Sequence, residues 1–226
     1  MKSLLLLLFL IPLVPSIFAQ TEIIDDIEEA GITPDSPFYF LDVALDQLFL
    51  NMETNNAKKA VLGLEIASER LSEVKLMIEA NKIEHAEEAK KHHDKVIMET
   101  EMAVAEIENE DIDDISGSSE KLEEEIEIES RLEEHSERVD DITVKIQIKI
   151  RSGDSIPPDQ LIRITSILNT LDDNVEKVKI IIDDEKIDTK IKIRKDTGKS
   201  EFQVEDLEDE YELKVRDIIE SEKDDD

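Results

Sequence analysis

Histidines and carboxylates are the groups in this 226-residue sequence with chemistry to offer. His85, Glu88 and His92 recur at i, i+3 and i+7. On a helix that spacing sets two imidazoles and a carboxylate along one face, a nitrogen–oxygen–nitrogen set suited to zinc or copper. The competing reading of the same three residues is a solvated, charged helix surface. His93 and His135 fall instead on apolar seam positions, where a polar core residue fixes the register of neighbouring helices. A di-iron carboxylate bundle needs Glu-x-x-His on two helices. The residues three before the four histidines are Lys82, Ala89, Lys90 and Leu132, which supply no such ligands. Asp111, Asp113 and Asp114 begin like a calcium loop, but Ile115, Ser116 and Leu122 stand where a third oxygen, a glycine and a glutamate are required. Weak divalent-cation binding by the acidic runs is the residual expectation.

Covalent and phosphate chemistry find no support. The chain has no cysteine, no G-x-S-x-G, no H-E-x-x-H and no G-x-x-x-x-G-K, and its five glycines are too dispersed to cradle a phosphate. The expectation is therefore a protein that is not an enzyme and carries no cofactor. A formal charge of −32 opposes binding to nucleic acid or anionic lipid. Residues 1–19, with Lys2 followed by a mostly apolar run to Ala19, read as a signal peptide, its retention as an anchor being the alternative. That places the chain outside the cytoplasm, secreted or in the cell envelope, with no membrane span once the signal is removed.

The elements that position these groups start from the aromatic stretch Ala30 to Asn51, which holds three of the six phenylalanines. Ser36 before Pro37 is a helix start. Beyond it Phe38, Leu41, Leu45 and Leu48 share one face, which Phe49 and Met52 extend. With Tyr39 and Phe40 widening the apolar belt, this short helix is expected to bury itself against longer ones.

The run Pro34 to Asp42 (P-D-S-P-F-Y-F-L-D), then A-K-K-A at 57–60 and L-E-I-A-S-E-R-L-S-E at 64–73, resembles domain-of-unknown-function family 5667, exported bacterial and archaeal helical domains. The resemblance covers residues 30–108. It implies an extracytoplasmic all-α module with an aromatic opening helix, and no established chemistry.

Periodicity supplies the rest. Asn55-Asn56 precedes a helix with a seam at Ala57, Val61, Leu64, Ala67, Leu71, Val74 and Ile78; a turn at Asn81-Lys82 and a third helix over 83–108 complete an αα-hairpin. Residues 20–108 thus form an N-terminal helical domain, and 109–118 an acidic linker. Residues 119–186 form a long helical hairpin whose two arms pair antiparallel. After Glu185 the pattern changes to period two, with Ile187, Thr189, Ile191 and Ile193 alternating with charged residues. A β-hairpin over 187–206 is read there, the alternative being a longer helix, before a short helix and an acidic tail to 226. The fold class is all-α, an elongated antiparallel bundle of coiled-coil-like hairpins with that small C-terminal β-hairpin.

The function expected of such a chain is that of an exported, non-catalytic interaction or scaffold protein of the cell envelope. It would act on an unknown protein partner or as a homo-oligomer, with the 187–206 hairpin as the candidate pairing edge. The alternatives are an extracytoplasmic cation-binding protein using His85, Glu88 and His92, and a periplasmic-type chaperone.

Overall fold

A computed structural model describes residues 31–107, 115–152, 156–171 and 173–225. Residues 1–19, read above as a signal peptide, the polar lead to Ala30 and the Asp111–Asp114 part of the linker lie outside the described residues. Within them the chain forms seven helices and no strand: α1 (Tyr39–Met52), α2 (Asn56–Glu79), α3 (Ile83–Ile107), α4 (Ile115–Arg151), α5 (Pro158–Asn169), α6 (Val175–Thr197) and α7 (Glu201–Asp225).

Local chemistry sets the helix ends. The Ser36 hydroxyl accepts from Phe38 N–H at 3.2 Å just before α1. The Asn55 side chain caps α2, accepting from Lys58 N–H at 2.7 Å. Asn81 takes the left-handed conformation at φ 59°, and Lys82 N–H donates back to Met77 O at 2.8 Å, so the α2–α3 turn closes in three residues. The α2–α3 interface is built from small side chains, with Ala57, Ala60 and Ala67 facing Ala103 and Ala86 and Ala89 nearer the turn. At Gly63 a Cβ would stand 2.2 Å from Thr100 Oγ1 and 3.4 Å from Thr100 Cβ, so an added methyl collides with the Thr100 side chain unless that hydroxyl moves.

The hairpin occupies half of a four-helix bundle. α2 lies beside α3 and α4, while α6 lies beside α3 and α4, which leaves α3 and α4 across a diagonal. Two apolar layers fill the interior. One joins α2 and α3 to Ile128 and Leu132 of α4 and Val175, Val178 and Ile182 of α6. The other joins Leu71 and Val74 to Val139, Ile142 and Ile146 of α4 and to Ile164, Ile167 and Leu168 of α5. At 37 residues α4 extends about 55 Å and outruns the hairpin. Its N-terminal part makes a third layer, Leu122 and Ile126 against Ile193 of α6 and Val204, Val215 and Ile219 of α7.

Three sequence expectations are corrected. The first is the β-hairpin over 187–206. Residues 187–197 continue α6, Gly198 (φ 67°) ends it, and α7 starts at Glu201. The alternation of Ile187, Thr189, Ile191 and Ile193 coexists with a helical face. Val175, Val178, Ile182, Glu185, Thr189 and Ile193 are the buried residues of α6 at spacings of three and four, while Ile187 and Ile191 are exposed. Thr189 donates to Glu125 Oε1 at 2.7 Å inside the bundle, and burial pushes the Glu125 carboxyl up to about 7. With no strand, there is no pairing edge. The second is the hairpin over 119–186, whose second arm is not one helix: the chain breaks between Asn169 and Val175 into α5 and α6. The third, the burial of the aromatic opening helix, concerns the site itself.

The tight α2–α3 contact has a measurable consequence. Gly63→Ala should lower the melting temperature, because overpacking costs about 1–3 kcal/mol whereas the gain in helix propensity is about 1 kcal/mol. Thr100→Ala removes the obstructing hydroxyl, so the double variant should melt above Gly63→Ala alone. A Gly63→Ala protein as stable as the wild type would contradict the close approach.

Candidate functional site

α1 lies across the α2–α3 hairpin with its charged side turned inward. Tyr39, Asp42, Asp46, Gln47 and Leu50 follow one helical stripe. Leu50 is buried in the first apolar layer. Gln47 donates to Glu99 of α3 at 3.0 Å and accepts from Lys95. Between these anchors Asp42 and Asp46 close on Arg70 of α2, at 2.5 and 2.6 Å from the same guanidinium nitrogen.

Arg70 is 1 % exposed and stands among four carboxylates: Asp42, Asp46, Glu69 at 3.6 Å, and Glu73, to which its other terminal nitrogen donates. Its guanidinium also sits 5.4 Å from the Tyr39 ring centroid. Its Nε has no hydrogen-bond partner among the described residues. Four acids against one base leave an excess of negative charge with little water to screen it. Burial raises the Asp46 and Glu69 carboxyls above their ordinary values, against the pull of Arg70. Glu73 is pushed up to about 9, first by burial, with Glu69 and Asp42 adding to it. The Tyr39 hydroxyl donates to Glu73 Oε2 at 2.9 Å; when Glu73 holds a proton, that contact can run in reverse. Burial alone would lower the Arg70 pKa, but Glu73 and its neighbours raise it, so the guanidinium keeps its charge.

Beside α1 lies an open cavity of about 310 Å³, lined by Pro34, Ser36, Pro37, Tyr39, Phe40, Val43, Glu88 and His92. It brings in two of the three residues proposed as metal ligands. His92 packs its ring edge-on to Tyr39, centroids 5.6 Å apart, and its pKa falls through burial and the charge of Arg70. His85 stands outside the cavity lining, its Nδ1 3.8 Å from Glu88 Oε2. The ligand atoms of His85, Glu88 and His92 do not converge. Among the described residues the converging group of three is Asp42, Glu69 and Glu73, with oxygens within 4.8 Å of one another, and the guanidinium of Arg70 sits among them.

The other two histidines meet in the core, where their seam positions predict. His93 and His135 approach across the diagonal, Nε2 to Nε2 at 3.0 Å, their rings 17° from parallel. Asp94 Oδ1 lies 3.2 Å from His93 Nδ1 and Ser68 Oγ lies 2.9 Å from His135 Nδ1. One assignment of protons satisfies all four groups: Ser68 donates to His135, His135 to His93, and His93 to Asp94. Burial drives the His135 pKa down to about 3, which keeps that ring neutral. None of the four lines the cavity beside α1, and the chain of bonds ends at Asp94, which also accepts from Lys90 at 2.5 Å.

The outward side of α1 corrects the expectation that this helix is buried. Phe38, Phe40, Leu41, Leu45, Leu48, Phe49 and Met52 are 47–68 % exposed, and only Tyr39 and Leu50 of the helix are buried. The apolar face points to solvent because the acidic face is held by Arg70. The sequence carried a trace of this: Asp46 falls on the far side of the helix from Leu41 and Leu48, and Arg70 stands beside Ala67, Leu71 and Val74 of the α2 seam. Nothing in the spacing said that they would meet.

Residues 31–149 match the profile of a family described as a domain of unknown function (DUF5667), and the chain belongs to that family. The match runs from the start of the described residues through nearly all of α4, beyond the 30–108 that the motifs had marked. No curated protein and no solved structure matches the chain. No helix among the described residues is long and apolar enough to cross a membrane.

Two outcomes follow for the Arg70 cluster. Arg70→Met keeps the apolar stem but leaves the carboxylates without a counter-charge. It should destabilise the protein by about 3–5 kcal/mol, and Arg70→Lys should not restore it, since a single ammonium cannot fork between α1 and Glu73. Glu73 contributes a proton-linked term whose sign is defined. With its folded pKa raised, the stability it confers is complete below about 4.5 and is lost as pH rises through about 9. Melting curves from pH 6 to 9.5 should therefore fall more steeply for the wild type than for Glu73→Gln. Parallel curves would contradict a proton held at Glu73.

Proposed function

We propose that this family member is an exported, non-catalytic interaction or scaffold module of the cell envelope, and that the outer face of α1 is where it engages another protein. The observation that carries the reading is the contiguous, uncharged apolar surface of α1 on a chain that is otherwise densely acidic. Monomeric soluble proteins rarely expose apolar patches of several hundred square ångströms, and those that do use them for association. Other exposed apolar side chains include Ile162 on α5 and Phe202 and Leu213, eleven residues apart on α7. The polar clusters support a non-catalytic role: Arg70 is committed to its four carboxylates and the His93–His135 pair to Ser68 and Asp94. Export rests on residues 1–19.

Photo-crosslinking tests this directly. Benzoylphenylalanine placed at Phe49 in producing cells should give discrete covalent adducts with protein, whereas the same group at Phe202 on α7, the more exposed of the two positions, should not. No excess of adducts from position 49 over position 202 would end the reading. A smear of many unrelated adducts would replace it with a chaperone that holds unfolded clients.

A further inference from the structure

The outer face of α1 has the geometry of a helix seam. Phe38, Leu41, Leu45, Leu48 and Met52 are separated by three, four, three and four residues, the spacing with which one helix packs against another in a coiled coil. Over 14 residues, or about 21 Å, that gives four to five layers of side chains. We propose that the occupant of this face is a second copy of the same chain, α1 packed antiparallel on α1 across a two-fold axis near Leu45. This rests on the reading of α1 as a docking face and names its partner.

Three observations favour a second copy. The first is area. The six exposed apolar side chains on this side, Phe38, Leu41, Leu45, Leu48, Phe49 and Met52, present on the order of 600 Å², a large part of the roughly 800 Å² that each partner contributes to a stable interface of ordinary size. The second is charge. A chain at −32 should repel its own copies, yet the exposed arc of α1 from Phe38 to Met52 carries no ionisable group. The two acids of this helix, Asp42 and Asp46, are turned away and paired with Arg70. Charges elsewhere are screened beyond about 8 Å at physiological ionic strength. The third is symmetry. Mirroring about Leu45 sets Phe38 of one copy against Met52 of the other and Leu41 against Phe49, while Leu48 meets position 42, where Asp42 is held by Arg70. A two-fold interface requires such self-complementarity. A lipid surface is the poorer occupant, because α1 contains no lysine or arginine to engage headgroups.

The absence of cysteine makes the test unambiguous, since any disulfide must come from an introduced residue. Under mild oxidation of the purified full chain, Leu45→Cys should form a covalent dimer. Phe38→Cys alone should remain single, and an equimolar mixture of Phe38→Cys with Met52→Cys should give the mixed dimer. By sedimentation equilibrium the wild type should have twice the chain mass. Leu45→Asp, with an unchanged melting temperature, should weaken self-association by about 100-fold. Efficient Phe38→Cys homodimers without mixed dimers would overturn the antiparallel arrangement. A monomeric mass with no Leu45→Cys dimer would overturn self-pairing, as would a monomer that partitions into phosphatidylcholine vesicles. If position 49 still crosslinks to one foreign protein, only self-pairing falls. If its adduct maps to residues 20–30 of the same chain, both readings fall.

Discussion

A single buried guanidinium governs the N-terminal half of this molecule. Arg70 sits in the middle of α2 and must find negative charge where water is excluded. Asp42 and Asp46 of α1 supply it, while Glu73, one helical turn on, accepts from the guanidinium with its carboxyl pushed toward the protonated form by burial. A planar fork with several donors can reach two elements at once; an ammonium cannot. The demand of that one cation outweighs the usual preference of an amphipathic helix to bury its apolar stripe. Breaking a buried ion pair costs several kcal/mol, whereas the apolar face of α1 can find cover outside the chain. The helix therefore docks by its polar side, with Leu50 and the Gln47 bridge to Lys95 and Glu99 holding its far end.

The same logic recurs deeper in the bundle, where polar groups mark the boundaries between apolar layers. The His93–His135 pair lies in sequence between Leu132 of the first layer and Val139 of the second. Glu125 and Thr189 lie where the first layer gives way to the third. Aliphatic seams of repeating period can slip by a turn with little loss. A histidine pair that must meet across the diagonal, or a carboxylate that must meet one threonine, cannot slip without leaving a buried polar group unpaired. These sites contribute register more than net stability, and the proton each one holds or excludes follows from its burial.

Charge shapes what the surface can do. With 59 acidic against 27 basic side chains, most of the exterior repels anions and other copies of itself. The lysines within the bundle are largely engaged, Lys186 with Glu129 and Glu208, and Lys190 with Glu208. A surface of this kind has few places where protein can approach protein without electrostatic penalty. The outer face of α1 is such a place, and its neutrality is a product of the inward turn of Asp42 and Asp46.

Much of this was legible in the sequence. The all-α class, the α2–α3 hairpin with its start at Asn55 and turn at Asn81, and the core placement of His93 and His135 follow from local rules. Hydrophobic period and capping chemistry act over a few residues and need no knowledge of distant neighbours. The family resemblance was legible as well, in the aromatic opening motif. The tertiary structure decided what depends on partners far apart in the chain. Ile187 to Ile193 fit strand and helix periods alike, and burial of Thr189 beside Glu125 selected the helix. His85, Glu88 and His92 share a helix face, but a common face does not make side chains converge. Tyr39 to Met52 is amphipathic in either orientation, and only the position of Arg70, 28 residues after Asp42, determined that its acids face in and its phenylalanines face out. Periodicity identifies a face; which side is buried is set by the charge waiting on the neighbouring helix.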